Sequence, residues 1–173
     1  MPLKAEHQQS CQSADPKLND GVGFVRDGRL VGTRFIINRK RHHNLESRVS
    51  FHATDLLEET KPLPPGHDAI WMSLFLDCFS EAEIVSILRR AAAALSPGGT
   101  LYILELFWDR QPNATAAFCL QQTSLYFTCI ANGNSQMYHS SDLLRCVAES
   151  GLTVVEDRDQ VGLYHTLLKC RKH

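Results

Sequence analysis

The sequence predicts an α/β fold, a mostly parallel sheet that ends in an antiparallel pair of strands. Three features carry that expectation. A nearly continuous apolar run, DAIWMSLFLDCF from Asp68 to Phe79, has strand length and the composition of a strand covered by helices on both faces. A capped amphipathic helix and the break Pro97-Gly98-Gly99 separate it from a second apolar strand, TLYILELFW, which makes a βαβ unit with a right-handed parallel crossover. The chain closes with two strands, LTVVEDRD and GLYHTLLKC, too close in sequence for anything but antiparallel pairing.

From the N-terminus, residues 1 to 20 are polar, contain Pro16 and show almost no apolar periodicity, so they read as a flexible leader. Gly21 to Asn38 holds two β-prone runs around Asp27-Gly28, a dipeptide that accepts the positive φ angles of a tight turn, and predicts a hairpin. The basic run Arg39, Lys40, Arg41, His42, His43 reads as a solvated turn or helix face. RVSFHATDLL, from Arg48 to Leu57, is a short β-rich run ending in an acidic residue and a loop, after which Pro62, Pro64, Pro65 and Gly66 break the chain. Beyond the Asp68 strand, Ser80 is an N-cap and Glu83 completes a capping box. The helix that follows aligns Ile84, Ile87, Leu88, Ala91 and Leu95 on one side. Ala114 to Ala131 has helical length and leads to a turn at Asn132-Gly133-Asn134. Ser140 or Ser141 caps a further helix through Ser150, with Leu143, Leu144 and Val147 as its buried stripe and Gly151 as its stop.

Composition narrows the function classes. A chain of 173 residues, 43% apolar and 21% charged, is one domain with one core. With 18 Lys and Arg against 19 Asp and Glu, it offers no global electrostatic reason to expect nucleic acid or an anionic membrane as a partner. The balance is uneven, since residues 1 to 48 carry a net +4 and the remainder −5. No run approaches the ~18 consecutive apolar residues of a membrane-spanning helix. The start, MPLKAEHQQSCQSADPK, lacks the apolar stretch of a secretory signal, so the expected compartment is the cytoplasm. The six cysteines then read as reduced thiols, with no CxxC among them. Eight histidines include no HxxxH or HExxH pair, so no metal site is expected.

The stretch DAIWMSLFLDCFSEAEIVSILRRAAAALSPGGTLYILE, Asp68 to Glu105, resembles the class I S-adenosylmethionine-dependent methyltransferases, most closely their small-molecule O-methyltransferase family. A strand with an acidic end, an S/D-E-E-type helix start, a helix ending L-x-PGG and a strand ending in Glu follow one another in the family's order. The likeness continues through Asn132-Gly133, Ser141-Asp142-Leu143, Gly151-Leu152 and the last two strands. It divides the chain into a divergent leader with a β-hairpin, residues 1–47, and a partial catalytic domain, residues 48–173. The resemblance implies a Rossmann-like three-layer sandwich of strand order 3-2-1-4-5-7-6, S-adenosyl-L-methionine as cofactor, and direct methyl transfer to an oxygen of a small aromatic acceptor.

It also implies site residues. Asp55 and Leu56 match the acidic and apolar pair that holds adenine, the carboxylate accepting from the exocyclic amine and the apolar neighbour packing the ring. A turn cap is the other account of Asp55. Met72 falls at a cofactor-adjacent position on the fourth strand, where a core Met explains the residue equally well. Asp77 and Glu105 are the candidate catalytic carboxylates. The family's general base is a His directly before position 77, and Leu76 stands there, so His-based deprotonation is not available. Glu105 matches the first of two flanking carboxylates, while the second falls near Ser135.

Methyl transfer further needs a glycine loop that brings backbone close to the cofactor, and Asp20-Gly21-Val22-Gly23 is the only candidate. The acid that ends the family's second strand has no match. Two functions therefore stay open: an S-adenosylmethionine-dependent O-methyltransferase, or a truncated non-catalytic homologue that serves as an interaction module or needs a partner chain to complete the cofactor site. A homodimer or a completing chain is the expected assembly. For the sheet, either the Gly21 to Asn38 hairpin fills the gap left by the first two strands, with one strand antiparallel, or residues 48 to 53 pair directly with the remaining strands.

Overall fold

The structure, a computed structural model, describes residues 21–26, 29–32, 49–51, 54–131 and 135–173. The leader 1–20, the Asp27-Gly28 turn, the basic run Arg39 to His43 and the Asn132-Gly133-Asn134 turn lie outside the described residues. Among the described residues seven strands form one sheet in the order β3-β2-β1-β4-β5-β7-β6. They are β1 Gly21–Arg26, β2 Arg29–Gly32, β3 Val49–Phe51, β4 His67–Ser73, β5 Leu95–Glu105, β6 Leu152–Val161 and β7 His165–Lys172. Of the two arrangements expected, the hairpin filling the gap is the one observed. Strand β1 runs antiparallel to both β2 and β4, so β2 recovers the direction of β4 and pairs parallel with β3 at the sheet edge. The closing strands β6 and β7 are antiparallel, as their short connection requires.

The crossover helix α1, Glu81–Ala94, starts on the expected capping box, with Glu83 Oε2 accepting from the Ser80 backbone N–H and hydroxyl at 2.8 Å each. It buries Ile84, Ile87, Leu88 and Ala91 against Ile70 and Met72 of β4 and Leu101 and Ile103 of β5, all at most 1% exposed. Pro97-Gly98-Gly99 does not end this helix. The helix stops at Ala94, β5 begins at Leu95, and the three residues form a bulge where the register jumps from His67↔Leu95 to Ala69↔Thr100. Gly98 takes φ +77°, and a Cβ on Gly99 would stand 2.8 Å from the His67 carbonyl oxygen.

The apolar run from Asp68 to Phe79 is only half strand. Strand β4 ends at Ser73, Leu74 turns into the left-handed region at φ +47°, and Leu76–Cys78 form a 3-10 turn. The later apolar residues serve packing instead: Leu76 is fully buried, and the Phe75 and Phe79 rings meet edge-on at 4.9 Å. Coverage on both faces of β4 also fails at Trp71, which is 38% exposed and lies beside Tyr102 with ring centroids 5.8 Å apart.

Helix α2, Ala114–Tyr126, continues as a π turn through Phe127–Ala131, close to the span expected, and Asn113 caps it by accepting from the Ala116 N–H at 2.9 Å. None of its residues is buried. Helix α3, Ser140–Glu149, packs on α1 and stops at Gly151, φ +80°. Its cap is neither Ser140 nor Ser141 but His139, whose Nδ1 accepts from the Ser141 N–H at 3.1 Å. Ser140 is already helical because Asp109, brought from the turn after β5, accepts its backbone N–H at 2.8 Å and its hydroxyl at 2.6 Å.

Candidate active site

Parallel strands deliver the loops at their C-terminal ends to the same edge of the sheet, and three of the candidate residues arrive that way: Asp55 after β3, Asp77 after β4 and Glu105 at the end of β5. Glu105 is 3% exposed, and its Oε1 accepts the backbone N–H of Phe75 at 2.9 Å and of Leu76 at 2.8 Å. One carboxylate oxygen of β5 therefore fixes the turn after β4, and Leu74 N–H donating to Leu104 O at 2.9 Å closes the same junction. Asp77, half-buried on that turn, is tied through its carbonyl to the Gln136 N–H at 2.9 Å.

Leu76, Asp77, Glu105, Phe107, Tyr138 and Leu143 enclose a shallow recess. Tyr138 closes its floor by donating to the Phe79 carbonyl at 2.6 Å, and burial pushes its phenol up to about 12, so it stays a neutral donor. Sequence reasoning passed over this Tyr. Ser135 stands where a second carboxylate was sought, 3% exposed, and its carbonyl accepts from Thr128 at 3.2 Å. A hydroxyl there cannot orient a base as a carboxylate does.

Asp55 is exposed, with Oδ1 accepting from the Leu57 N–H at 2.9 Å, the local turn bond considered for it. Leu56 is half-buried against the core. Arg90 of α1, also unremarked in the sequence, donates to the carbonyls of Leu56, Glu58 and Lys61, the last two at 3.3 Å. Local sequence carries no signal for this role, because the three carbonyls lie 29 to 34 positions away. Met72 has no exposed surface and pairs across the sheet with Val22 and Ile103, which places it in the core.

The glycine candidate takes a different form from the one sought. Gly21, Val22 and Gly23 belong to β1 and pair with Ser73, Met72 and Trp71, and Gly23 also pairs with Gly32. Backbone committed to a ladder with β4, and at Gly23 with β2 as well, is not a loop that cradles a ligand. Because β1 is reversed, its first residue, Gly21, nevertheless lies at the edge where β4 ends.

Among the described residues no group of three or more His, Cys, Asp or Glu could hold a metal ion. Cys78, Cys119, Cys129, Cys146 and Cys170 are thiols rather than disulfide halves, and burial raises Cys146 to about 11 and Cys170 to about 12, as befits protonated core groups. No helix among the described residues is long and apolar enough to cross a membrane.

Comparison with known proteins decides the family. A family model described as the O-methyltransferase domain matches residues 34–147, which is most of the chain. The chain belongs to the O-methyltransferase domain family. A 3-hydroxy-5-methyl-1-naphthoate 3-O-methyltransferase of Streptomyces sahachiroi is 37% identical over 65 residues, which are 38% of this chain and 18% of that enzyme. Among solved structures, mitomycin 7-O-methyltransferase superposes with a TM-score of 0.66 at 20% identity, covering 83% of this chain and 41% of that one. An O-methyltransferase family protein from Burkholderia thailandensis gives 0.65 at 24% identity, covering 80% and 40%. The S-adenosylmethionine-dependent methyltransferase SibL gives 0.64 at 26%, again covering 80% and 40%. The match thus spans about two fifths of the solved relatives and under a fifth of the curated one. The fold is the Rossmann-like α/β fold of the class I methyltransferases, and the strand order agrees with it.

The residues at the sheet edge fit such an enzyme's cofactor at one end. An exposed carboxylate beside a half-buried Leu suits an adenine, whereas the described residues offer no glycine loop for the methionine end.

Proposed function

We propose that the chain acts in S-adenosyl-L-methionine-dependent O-methylation of a small aromatic molecule. The observation that carries the reading is that Asp55, Asp77 and Glu105 all stand at the C-terminal edge of a family-ordered sheet. Asp55 and Leu56 hold the adenine, while Met72, with no exposed surface, acts only through the core that supports β4. The bound cofactor supplies an electrophilic methyl group on its sulfonium. Glu105 sets the turn after β4 through the Phe75 and Leu76 N–H groups, and Asp77 on that turn accepts a hydrogen bond from the acceptor's hydroxyl. Leu76 removes no proton, so the hydroxyl proton passes along its hydrogen bond to the Asp77 carboxylate. Hydroxynaphthoates are the acceptors that the relatives suggest. The related Streptomyces enzyme carries 3-hydroxy-5-methyl-1-naphthoate in its name, and a further structural neighbour from neocarzinostatin biosynthesis was solved with S-adenosyl-L-homocysteine and 1,4-dihydroxy-2-naphthoic acid.

A second reading has its own observation: with Gly21 to Gly23 held in a strand, a second copy or a partner chain supplies the methionine end of the site, or the chain is a non-catalytic interaction module. Residues 114–131 contain no charged residue and expose Phe118, Leu125, Tyr126 and Ile130, which makes α2 and its π turn the face for that contact. Residues 1–47 are then a divergent leader whose hairpin completes the sheet of the catalytic part, 48–173. The reading places the chain in the cytoplasm, where its cysteines stay thiols. The test is incubation of the full chain with methyl-labelled S-adenosylmethionine and a panel of hydroxynaphthoates. Labelled methyl ether that disappears in Asp77→Ala supports the enzyme. A folded chain that transfers no label alone, yet does so with added partner, supports the second reading.

A further inference from the structure

We infer that Arg90 is a positioning residue for the adenine, its guanidinium holding the loop after β3 in the shape that presents Asp55 and Leu56. This rests on the assignment of that pair to the adenine. The segment from residue 54 to 66 has no helix or strand, and its internal ties are short-range: Leu57 N–H to Asp55, Lys61 N–H to the Glu58 carbonyl at 3.0 Å, and a Lys61–Glu58 ion pair at 2.6 Å. Such contacts shape a turn without fixing where it sits. Two anchors tie the C-terminal part to the body, Leu63 at 4% exposure and the Gly66 N–H to the Ala94 carbonyl at 2.8 Å.

In the earlier part Leu56 packs against the core by its side chain, and Arg90 ties down the backbone. From the outer turns of α1 it reaches the Leu56, Glu58 and Lys61 carbonyls together, and its Nε returns to the Ser86 carbonyl at 3.4 Å, which fixes the plane of the fork against its own helix. A planar group with five donors can gather three carbonyls that point at one place, whereas an ammonium is a single point. The Leu56 carbonyl is the peptide next to the proposed adenine pair. Asp55 itself is exposed and bonded within the loop, so its position is the position of the loop. Ordering that loop before the ligand arrives removes an entropy loss from binding, and this is where the guanidinium acts.

The experiment uses the full chain as wild type, Arg90→Gln, Arg90→Lys and Asp55→Ala. It measures amide exchange of residues 54–63, thermal melting, and calorimetric affinity for S-adenosylhomocysteine and for adenosine. Expected are a tenfold or greater rise in exchange confined to the loop in Arg90→Gln and a smaller rise in Arg90→Lys. Affinity falls about tenfold for Arg90→Gln, by the same factor for adenosine as for S-adenosylhomocysteine, because the loop touches only the adenine end. Asp55→Ala weakens both ligands and raises exchange at Leu57 alone, whose N–H loses its acceptor, leaving the rest of the loop as in wild type. If Asp55→Ala weakens binding but Arg90→Gln alters neither exchange nor affinity, the inference is overturned and the adenine reading stands. Raised exchange throughout α1 with a matching fall in melting temperature in both Arg90 variants overturns it in favour of a general packing role. A wild-type chain that binds neither ligand, or an Asp55→Ala chain that binds as wild type, removes the adenine reading and the inference with it.

Discussion

Replacing Glu105 by Ala is the most informative single perturbation of the fold. The carboxylate is 3% exposed, and Oε1 alone accepts two backbone N–H groups, from Phe75 at 2.9 Å and Leu76 at 2.8 Å. Hydrogen bonds to a charged acceptor contribute about 1.5–3 kcal/mol each, and here their loss leaves two donors of a packed turn unsatisfied. The same turn holds Leu74 at φ +47°. That conformation costs a non-glycine residue about 1 kcal/mol, so the junction has strain to release once the anchor is gone. The expected destabilisation is about 3–5 kcal/mol, a large part of the roughly 5–15 kcal/mol typical of a whole domain. Glu105→Gln keeps an oxygen that can accept both donors, loses only charge assistance, and should cost about 1 kcal/mol. Urea unfolding followed by circular dichroism, with unchanged m-values, reads both numbers. A Glu105→Ala chain within about 0.5 kcal/mol of wild type, the range of a neutral surface change, would refute the claim that Glu105 builds the turn.

Gly99→Ala should lower stability by about 1–3 kcal/mol, since its Cβ meets backbone oxygens that cannot swing aside, and urea midpoints check it. Burial raises Tyr138 from 10.0 to about 12, Cys146 from 9.0 to about 11 and Cys170 from 9.0 to about 12. Each raised value means that the folded chain binds more protons above the unfolded pKa, so stability is full below pH ~9 and falls progressively from there towards pH ~12. Tyr138→Phe should flatten the part of that fall above pH ~10, as midpoints measured up the alkaline series will show. At the acid end, burial of Asp109 favours the protonated form, but the bonds from Ser140 outweigh it and hold the carboxyl below its ordinary 3.8. Its contribution is present above that value and lost as pH falls through the lower folded one, so Asp109→Asn should show a shallower acid limb in thermal melts. Leu125→Glu should abolish any self-association measured by analytical ultracentrifugation without lowering the melting temperature, because that side chain is 57% exposed in the chain alone.

The central βαβ unit and the closing strand pair were legible because their signals are local. Ser80 and Glu83 cap a helix whose apolar stripe has the right period, and a short link between two β runs leaves one pairing direction. The end of β4 was not legible. Residues 74 to 79 are as apolar as the strand before them, and what turns the chain is a carboxylate 30 positions from Phe75 in sequence. The cap of α3 escaped for the same reason, since Asp109 approaches Ser140 from across the fold. The glycine motif misled in the opposite sense. Gly21 and Gly23 have loop composition, yet a tertiary slot between β2 and β4 draws them into a strand. In the candidate site, what was legible for Asp55, Asp77 and Glu105 was their place at or just after strand ends, which the structure reproduces. Arg90 and Tyr138 became visible only once the backbone carbonyls they bind had been placed.

The central claim is that the sheet edge carrying Asp55 and Leu56 binds the adenine end of S-adenosylmethionine's by-product. Calorimetric titration of the folded full chain with S-adenosylhomocysteine tests it most directly, run beside Asp55→Ala. Saturable binding, weakened about tenfold or about 1.4 kcal/mol by the loss of Asp55, is the predicted result. A cooperatively folded chain that gives no binding heat at millimolar ligand, or binding indifferent to Asp55→Ala, would contradict it.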